Sequence, residues 1–341
     1  MPSLSRRSLI ALATAAGLGL AGCAGSPAAT PAATPAGSAG ATTASGQVLQ
    51  IGIAQIVDHP SLNDLRDGFK EGMAAAGYVE GTDVVYEDRN AAGDQATLTS
   101  IASAFGSKDL VVAIATPTAQ AMVQALPDTP IFFAGVTDPV GADLVASLEA
   151  PGGNVTGTSD FPPVADQLKL IKEILPEART IGLLYSSAET NSHIHADMVK
   201  EAAPALGLEV KEATVSNSSE VAQAAESLTD VDAFFIGTDN TFVSAMESVV
   251  QVAEANKIPL VVSDPDSVVR GALAAYAVDY RAHGVQTGTM AAQMLKSGGK
   301  AGDIPVERAK DLELSVNPGA AERMGVTLPA DVLARADHTV D

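Results

Sequence analysis

From Val48 onward, short apolar runs alternate with longer amphipathic stretches. The runs fall at 49–56, 110–115, 131–134, 181–185, 233–237, 260–263 and 272–278. They are mostly apolar and several are rich in β-branched residues, as expected for strands buried on both faces of a parallel sheet. Helical periodicity fills 62–76, 167–175, 195–206, 219–228 and 242–255, and Gly77 and Gly207 suit helix stops. Alternating strands and helices predict α/β layers with right-handed crossovers. The alternation forms two blocks, about 48–158 and 160–279. Pro162-Pro163 follows the first block, and a helix-like segment, 282–296, follows the second. Single cores tend to split beyond about 250–300 residues. Two similar parallel-sheet lobes therefore fit the length better than one continuous sheet.

The segment before Val48 breaks this pattern. Arg6-Arg7 precede a modestly apolar stretch, 9–20, which runs into Leu20-Ala21-Gly22-Cys23. A positive start, a short apolar centre and small residues before a cut site predict a signal peptide over 1–22. Ser5-Arg6-Arg7-Ser8-Leu9-Ile10 resembles a twin-arginine export signal. Leu20-Ala21-Gly22-Cys23 resembles the lipobox at which bacterial lipoproteins are cleaved and acylated, here on Cys23. Residues 24–46 are built only from Ala, Ser, Thr, Pro and Gly. Such a stretch has too little apolar bulk to offset the entropy of ordering it, so 23–47 reads as a flexible, lipid-anchored linker.

Composition narrows the function. The chain carries 20 basic and 41 acidic residues, a formal charge of −21. That balance argues against nucleic acid as a partner, since phosphate binding needs clustered Lys and Arg. It also argues against a polybasic hold on anionic lipid. Cys23 is the single cysteine, so neither an internal disulfide nor a thiolate metal cluster can form. Aromatic residues make up only 4% and Trp is absent, which disfavours a sugar sandwiched between aromatic faces.

In open parallel sheets, ligands sit beyond the carboxyl ends of the strands, so the residues after each run are the candidates. Gln55 ends the first run, and Asp58-His59-Pro60 follow. Thr116-Pro117-Thr118-Ala119-Gln120 follow the second, and Thr137-Asp138-Pro139 the third. Ser186, Ser187, Glu189, Asn191 and Ser192 follow the fourth, Thr238-Asp239-Asn240-Thr241 the fifth, and Asp264-Pro265-Asp266 the sixth. Thr116 before Pro117 suits a helix N-cap, and the same free amides suit a carboxylate. Glu189 and Asp239 are the acidic groups expected to face an ammonium ion. Asp239-Asn240 also suits a simple cap. Asp138-Pro139 and Asp264-Pro265 read as turns. Phe161, Tyr185 and Phe242 suit core packing before ligand contact. Gly152-Gly153-Asn154-Val155-Thr156-Gly157 lacks the context of a phosphate loop and reads as a turn into a crossing strand.

Catalytic signals are weak. His193 and His195 lie near Glu189, but their spacing is not that of a zinc-protease helix, and a solvated loop is the expected place for both. There is no Gly-x-Ser-x-Gly elbow, and nothing assembles a nucleophile, base and orienter. No enzyme, metal or cofactor is expected.

Taken in order, these segments resemble the tryptophan/tyrosine-transport family of ABC transporter substrate-binding lipoproteins. The resemblance is carried by Ile51-Gly52-Ile53-Ala54-Gln55 with His59-Pro60, and by Gly77-Tyr78-Val79-Glu80-Gly81. Ala115-Thr116-Pro117-Thr118-Ala119-Gln120, Asp138-Pro139-Val140 and Gly153-Asn154-Val155-Thr156-Gly157-Thr158-Ser159-Asp160 extend it. Glu189-Thr190-Asn191-Ser192, Asp239-Asn240 and Asp279-Tyr280 complete it, so it spans most of 48–280.

It implies a periplasmic-binding protein type I fold: two Rossmann-like lobes joined by a three-crossing hinge. The N-lobe would take 48–158 and 280–305, and the C-lobe 159–279 and 306–341. By matched position, Gln55, Thr116, Thr118 and Asp160 would contact ligand from the N-lobe and first crossing. Glu189, Asn191, Ser192, Asp239 and Asn240 would do so from the C-lobe. The implied function is capture of a small solute, an amino acid and often an aromatic one, by hinge closure. The implied partners are an ABC permease with its ATPase, and the membrane through lipid on Cys23, with the protein itself a monomer outside the cytoplasm. The alternative is a surface lipoprotein that senses the same ligand for a signalling receptor.

Overall fold

The computed structural model describes residues 48–340. The signal peptide expected over 1–22, the acylated Cys23 and the linker to 47 lie outside the described residues. The first lobe opens with β1 (Leu49–Gln55), α1 (Pro60–Ala75), β2 (Val84–Asn90) and α2 (Gln95–Ala104). It continues with β3 (Leu110–Ile114), α3 (Thr116–Ala125), β4 (Ile131–Ala134) and β5 (Val155–Ser159). The chain then passes to a second lobe through α4 (Val164–Ile174), β6 (Thr180–Ser186), α5 (Thr190–Ala202), β7 (Glu209–Val215) and α6 (Val221–Glu226). That lobe goes on with β8 (Ala233–Ile236), α7 (Asn240–Ser244), α8 (Met246–Asn256), β9 (Leu260–Val262), α9 (Pro265–Val269) and β10 (Ala274–Val278). Helix α10 (Tyr280–Ser297) and β11 (Glu307–Arg308) return to the first lobe. The tail ends in the second with β12 (Leu312–Val316), α11 (Pro318–Arg323), α12 (Ala330–Ala334) and β13 (His338–Thr339).

The two sheets are separate. The first has six parallel strands in the order β11-β5-β4-β3-β1-β2. The second has seven in the order β13-β12-β10-β9-β8-β6-β7, parallel except where β12 runs against β10. Strands β3, β4, β8 and β9 are buried along their whole length, which matches their unbroken apolar sequences. The chain passes between sheets after β5, after β10 and after β11. The third passage lies at 309–311 rather than 305, because Glu307 and Arg308 pair with Thr158 and Ser159.

Each lobe has its own core. Phe69, Phe105, Phe132 and Phe133 anchor one, and Phe234, Phe235 and Phe242 the other. Burial of such side chains contributes roughly 1.5–3 kcal/mol each. Neither core spans the gap between the sheets.

Helix α10 follows a strand of the second lobe yet belongs to the first, and glycines explain how. A Cβ at Gly68 would stand 2.3 Å from the Arg281 carbonyl oxygen, and one at Gly284 2.4 Å from that of Leu65. A Cβ at Gly288 would lie 2.1 Å from the Phe69 carbonyl oxygen. Backbone thus packs directly on backbone along α1 and α10, fixing Tyr280 at the passage between lobes.

Candidate functional site

The loops after the strands of both sheets meet around one narrow cavity of about 40 Å³. The first lobe supplies His59, Ala115, Thr116, Gly135, Thr137 and Asp160 to its wall. The second supplies Asn191, Thr238, Asp239, Asn240, Val243 and Asp264, and Tyr280 closes the side of the passage. Both sets sit at the carboxyl ends of parallel strands, where the fold leaves loops free to carry polar groups.

One wall is the start of α3. Its N-cap residue, Ala115, has φ 74° and ψ 157°, and no side chain caps the helix. That backbone region is costly for an alanine, roughly 1–3 kcal/mol, and such strain gathers at binding sites. Thr116 is therefore not the cap that its place before Pro117 suggests; it is the first helical residue. The hydroxyls of Thr116 and Thr118 are buried and hydrogen-bond to no other group. Uncapped amides and the positive end of the helix dipole sit beside them. Thr116 borders the cavity and Thr118 does not, so the helix start with Thr116 is the wall whose donors suit a carboxylate.

Asp160, just past β5, is 5% exposed. Its Oδ2 accepts from the Tyr280 hydroxyl at 3.3 Å, whereas Oδ1 is buried without a partner. Burial pushes this carboxyl up to about 6. Asn191 is in a similar position. Its Nδ2 donates to the Thr238 carbonyl at 2.7 Å and to Glu189 at 3.2 Å, but its Oδ1 has no partner. Two acceptors that lack donors thus border the same cavity from opposite lobes.

The two acids singled out from sequence behave differently. Glu189 does not border this cavity; it faces an adjoining one between the lobes. Its carboxylate accepts from the amide and side chain of Asn240 (3.2 and 2.6 Å) and of Thr241 (2.9 and 2.7 Å). Asp239 borders the cavity but is equally occupied. Its Oδ1 caps α7 by accepting from the Phe242 amide at 2.8 Å. Its Oδ2 accepts from the Ser186 amide at 2.6 Å and the Ser192 hydroxyl at 2.7 Å. Burial, then repulsion from Glu189, holds the Asp239 carboxyl well above the usual carboxylate range. Ser192 serves that cap, and Asn240 lines the cavity while bracing Glu189. Gln55 does not line it: its side chain donates to Asn63 at 3.1 Å and accepts from Arg66 at 3.3 Å.

Position after a strand was also the signal for residues to which the resemblance gave no ligand contact. His59, Thr137, Thr238 and Asp264 all occupy such places. Asp264 is more than a turn residue, since it caps α9 at the Ser267 amide and lines the cavity. His195 is not on a solvated loop; it is buried on α5, and burial lowers its imidazole to about 3. Its Nδ1 accepts from the Thr238 amide at 3.0 Å, and a Cβ at Gly237 would strike the ring. It therefore props the loop after β8. Phe161, Tyr185 and Phe242 do not line the cavity. Among the described residues no group of three His, Cys, Asp or Glu could hold a metal ion.

Hydrogen bonds join the lobes across the cleft. Ser61 donates to Asp266 at 2.5 Å, the Thr137 and Thr238 hydroxyls meet at 3.0 Å, and Gln120 donates to Thr190 at 3.3 Å.

A family model described as ABC transporter substrate binding protein matches residues 50–340. The tyrosine-binding protein of Clostridioides difficile (strain R20291) is 44% identical over 278 residues, covering 81% of this chain and 80% of its own. An ABC domain from Streptococcus pneumonia in complex with L-Trp is 38% identical and superposes with a TM-score of 0.83, over 86% of this chain and 100% of its own. A ligand-free, open substrate-binding protein from Clostridium difficile is also 38% identical, with the same coverage, but its TM-score is 0.66. At equal identity the ligand-bound relative superposes better than the open one. The lobes described above are drawn together.

Proposed function

The chain belongs to the ABC transporter substrate-binding protein family, and from that premise we propose that it captures an aromatic amino acid between its lobes. Members of this family bind solutes and are not enzymes, and they work outside the cytoplasm. The observation that carries the ligand class is the set of buried polar atoms without partners around a single cavity. Each such atom costs roughly 1–3 kcal/mol in the folded protein unless something fills the need. The α3 terminus with Thr116 suits an α-carboxylate. Asp160 and Asn191 suit an α-ammonium, and they replace Glu189 and Asp239 in that role because those two spend their lone pairs on the protein. Asp239, Ser192, Glu189 and Asn240 then hold the rim of the second lobe rather than the ligand's charge. The aromatic side chain is supported by the relatives named for tyrosine and bound to L-Trp.

Closure follows as a population shift, because carboxylate and ammonium are gripped from both lobes only when these meet. The lobes move as the bodies 48–160 with 280–308 and 164–279 with 312–341. An ABC permease and its ATPase receive the closed form. Cys23, after the Arg6-Arg7 export signal, carries the lipid that keeps the protein at the membrane, and Cys23→Ser should move it to the soluble fraction. Calorimetric titration with the twenty amino acids tests the ligand class. Tyrosine or tryptophan should bind with a Kd of about 1 μM or tighter, near −8 kcal/mol. Failure of every aromatic amino acid to bind would overturn the reading.

A further inference from the structure

One buried side chain on the cavity wall is used by neither the carboxylate nor the ammonium. His59 precedes α1, is 2% exposed and lines the cavity. Its Nε2 is buried without a hydrogen-bond partner, and the nearest charge is Asp264 Oδ1, 3.7 Å away on the opposite lobe. Asp264 cannot meet the need as it stands, since that distance is beyond hydrogen-bond reach and the same oxygen accepts from the Ser267 amide at 2.8 Å. The cavity also touches Leu62, three residues further along α1, and Val243 from the second lobe. Apolar carbon and one unsatisfied imidazole share this wall, a pairing that suits a ring ending in a polar atom.

We propose that His59, backed by Asp264, reads a hydrogen-bonding atom on the ligand's aromatic ring, so that the cleft selects a phenol or an indole over a bare phenyl group. The assignment rests on the capture of an aromatic amino acid argued above. An imidazole can donate to or accept from a phenolic hydroxyl, and can accept from an indole N–H. A phenyl ring would leave the imidazole buried and unpaired, and sites of this kind reject the analogue that lacks the polar group. Because His59 and Asp264 come from different lobes, the discrimination exists only in the closed form.

The test is the ratio of affinities for tyrosine, tryptophan and phenylalanine in the parent protein and in His59→Leu, His59→Gln and Asp264→Asn. The parent should prefer tyrosine or tryptophan to phenylalanine by at least about tenfold, the equivalent of about 1.4 kcal/mol. His59→Leu should bring that ratio below about threefold, through weaker binding of tyrosine and tryptophan. His59→Gln, which keeps a donor and an acceptor, should retain part of the preference. Asp264→Asn, which still caps α9, should lower the preference without abolishing binding, and it decides the matter should His59→Leu fail to fold. Parallel loss of all three ligands, or an unchanged ratio in the variants, overturns the assignment and leaves the capture reading intact. A parent protein that binds none of the three overturns capture itself.

Discussion

Replacing Asp160 by asparagine should stabilise the ligand-free protein and cripple its grip on an amino acid. Burial moves this carboxyl from 3.8 to about 6. At about 1.4 kcal/mol per pH unit, ionising it in the folded protein at pH 7 costs roughly 3 kcal/mol. The folded-state value lies above the unfolded one, so folded protein holds the proton more tightly. The stabilising contribution of that proton is fully present below about pH 4 and is lost as pH rises through about 6. Asparagine carries no such charge. The variant should therefore exceed the parent by roughly 1–3 kcal/mol at pH 7 and lose that advantage by pH 4. Binding should go the other way. Losing one partner of a desolvated charge pair costs about 2–4 kcal/mol, or about 30- to 1,000-fold in Kd. The parent's affinity should also fall about tenfold between pH 7 and pH 5, as Asp160 protonates, and the variant's should not. Denaturant unfolding at pH 7 and pH 4, with calorimetric titration at pH 7 and pH 5, measures all of this. Binding within threefold of the parent, or lower stability at pH 7, would refute the reasoning.

Thr116→Val removes a buried, unpartnered hydroxyl on the cavity wall at almost constant volume. It should weaken ligand binding about tenfold by calorimetry while leaving the melting temperature of the free protein level or slightly raised. Gly288→Ala forces a methyl group to within 2.1 Å of the Phe69 carbonyl oxygen. Prying α10 from α1 should cost about 2–3 kcal/mol, read as a melting temperature about 4–12 °C lower by calorimetric scan.

The buried strands were legible because both of their faces are covered, so β3, β4 and β8 are nearly pure apolar sequence. The edge strands β2 and β7, Val84–Asn90 and Glu209–Val215, were not: an edge exposes much of itself to water, and their polar residues hide the strand period. Candidate positions were legible as strand ends. Their roles were not, because role depends on which lone pairs the fold has already used. Glu189 looked like a free charge and is surrounded by donors from Asn240 and Thr241, some 51 and 52 residues away in sequence. Thr116 looked like a cap and is free, because Ala115 takes an unusual backbone conformation that local sequence does not announce. Asp160 lies on the cavity wall, and its charge is the ammonium candidate because Glu189 and Asp239 are occupied by protein donors.

The bonds from Ser61 to Asp266, Thr137 to Thr238 and Gln120 to Thr190 hold the gap shut with protein atoms alone. Each is worth about 0.5–1.5 kcal/mol, so they set how often an unladen molecule looks like a laden one. A larger shut fraction tightens apparent affinity and favours scavenging when the nutrient is scarce. In the proposed transport role, the same fraction presents empty carriers to the permease, where they compete with full ones. Thrift at low supply and wasted visits at the membrane are thus settled by the same hydroxyl and amide contacts.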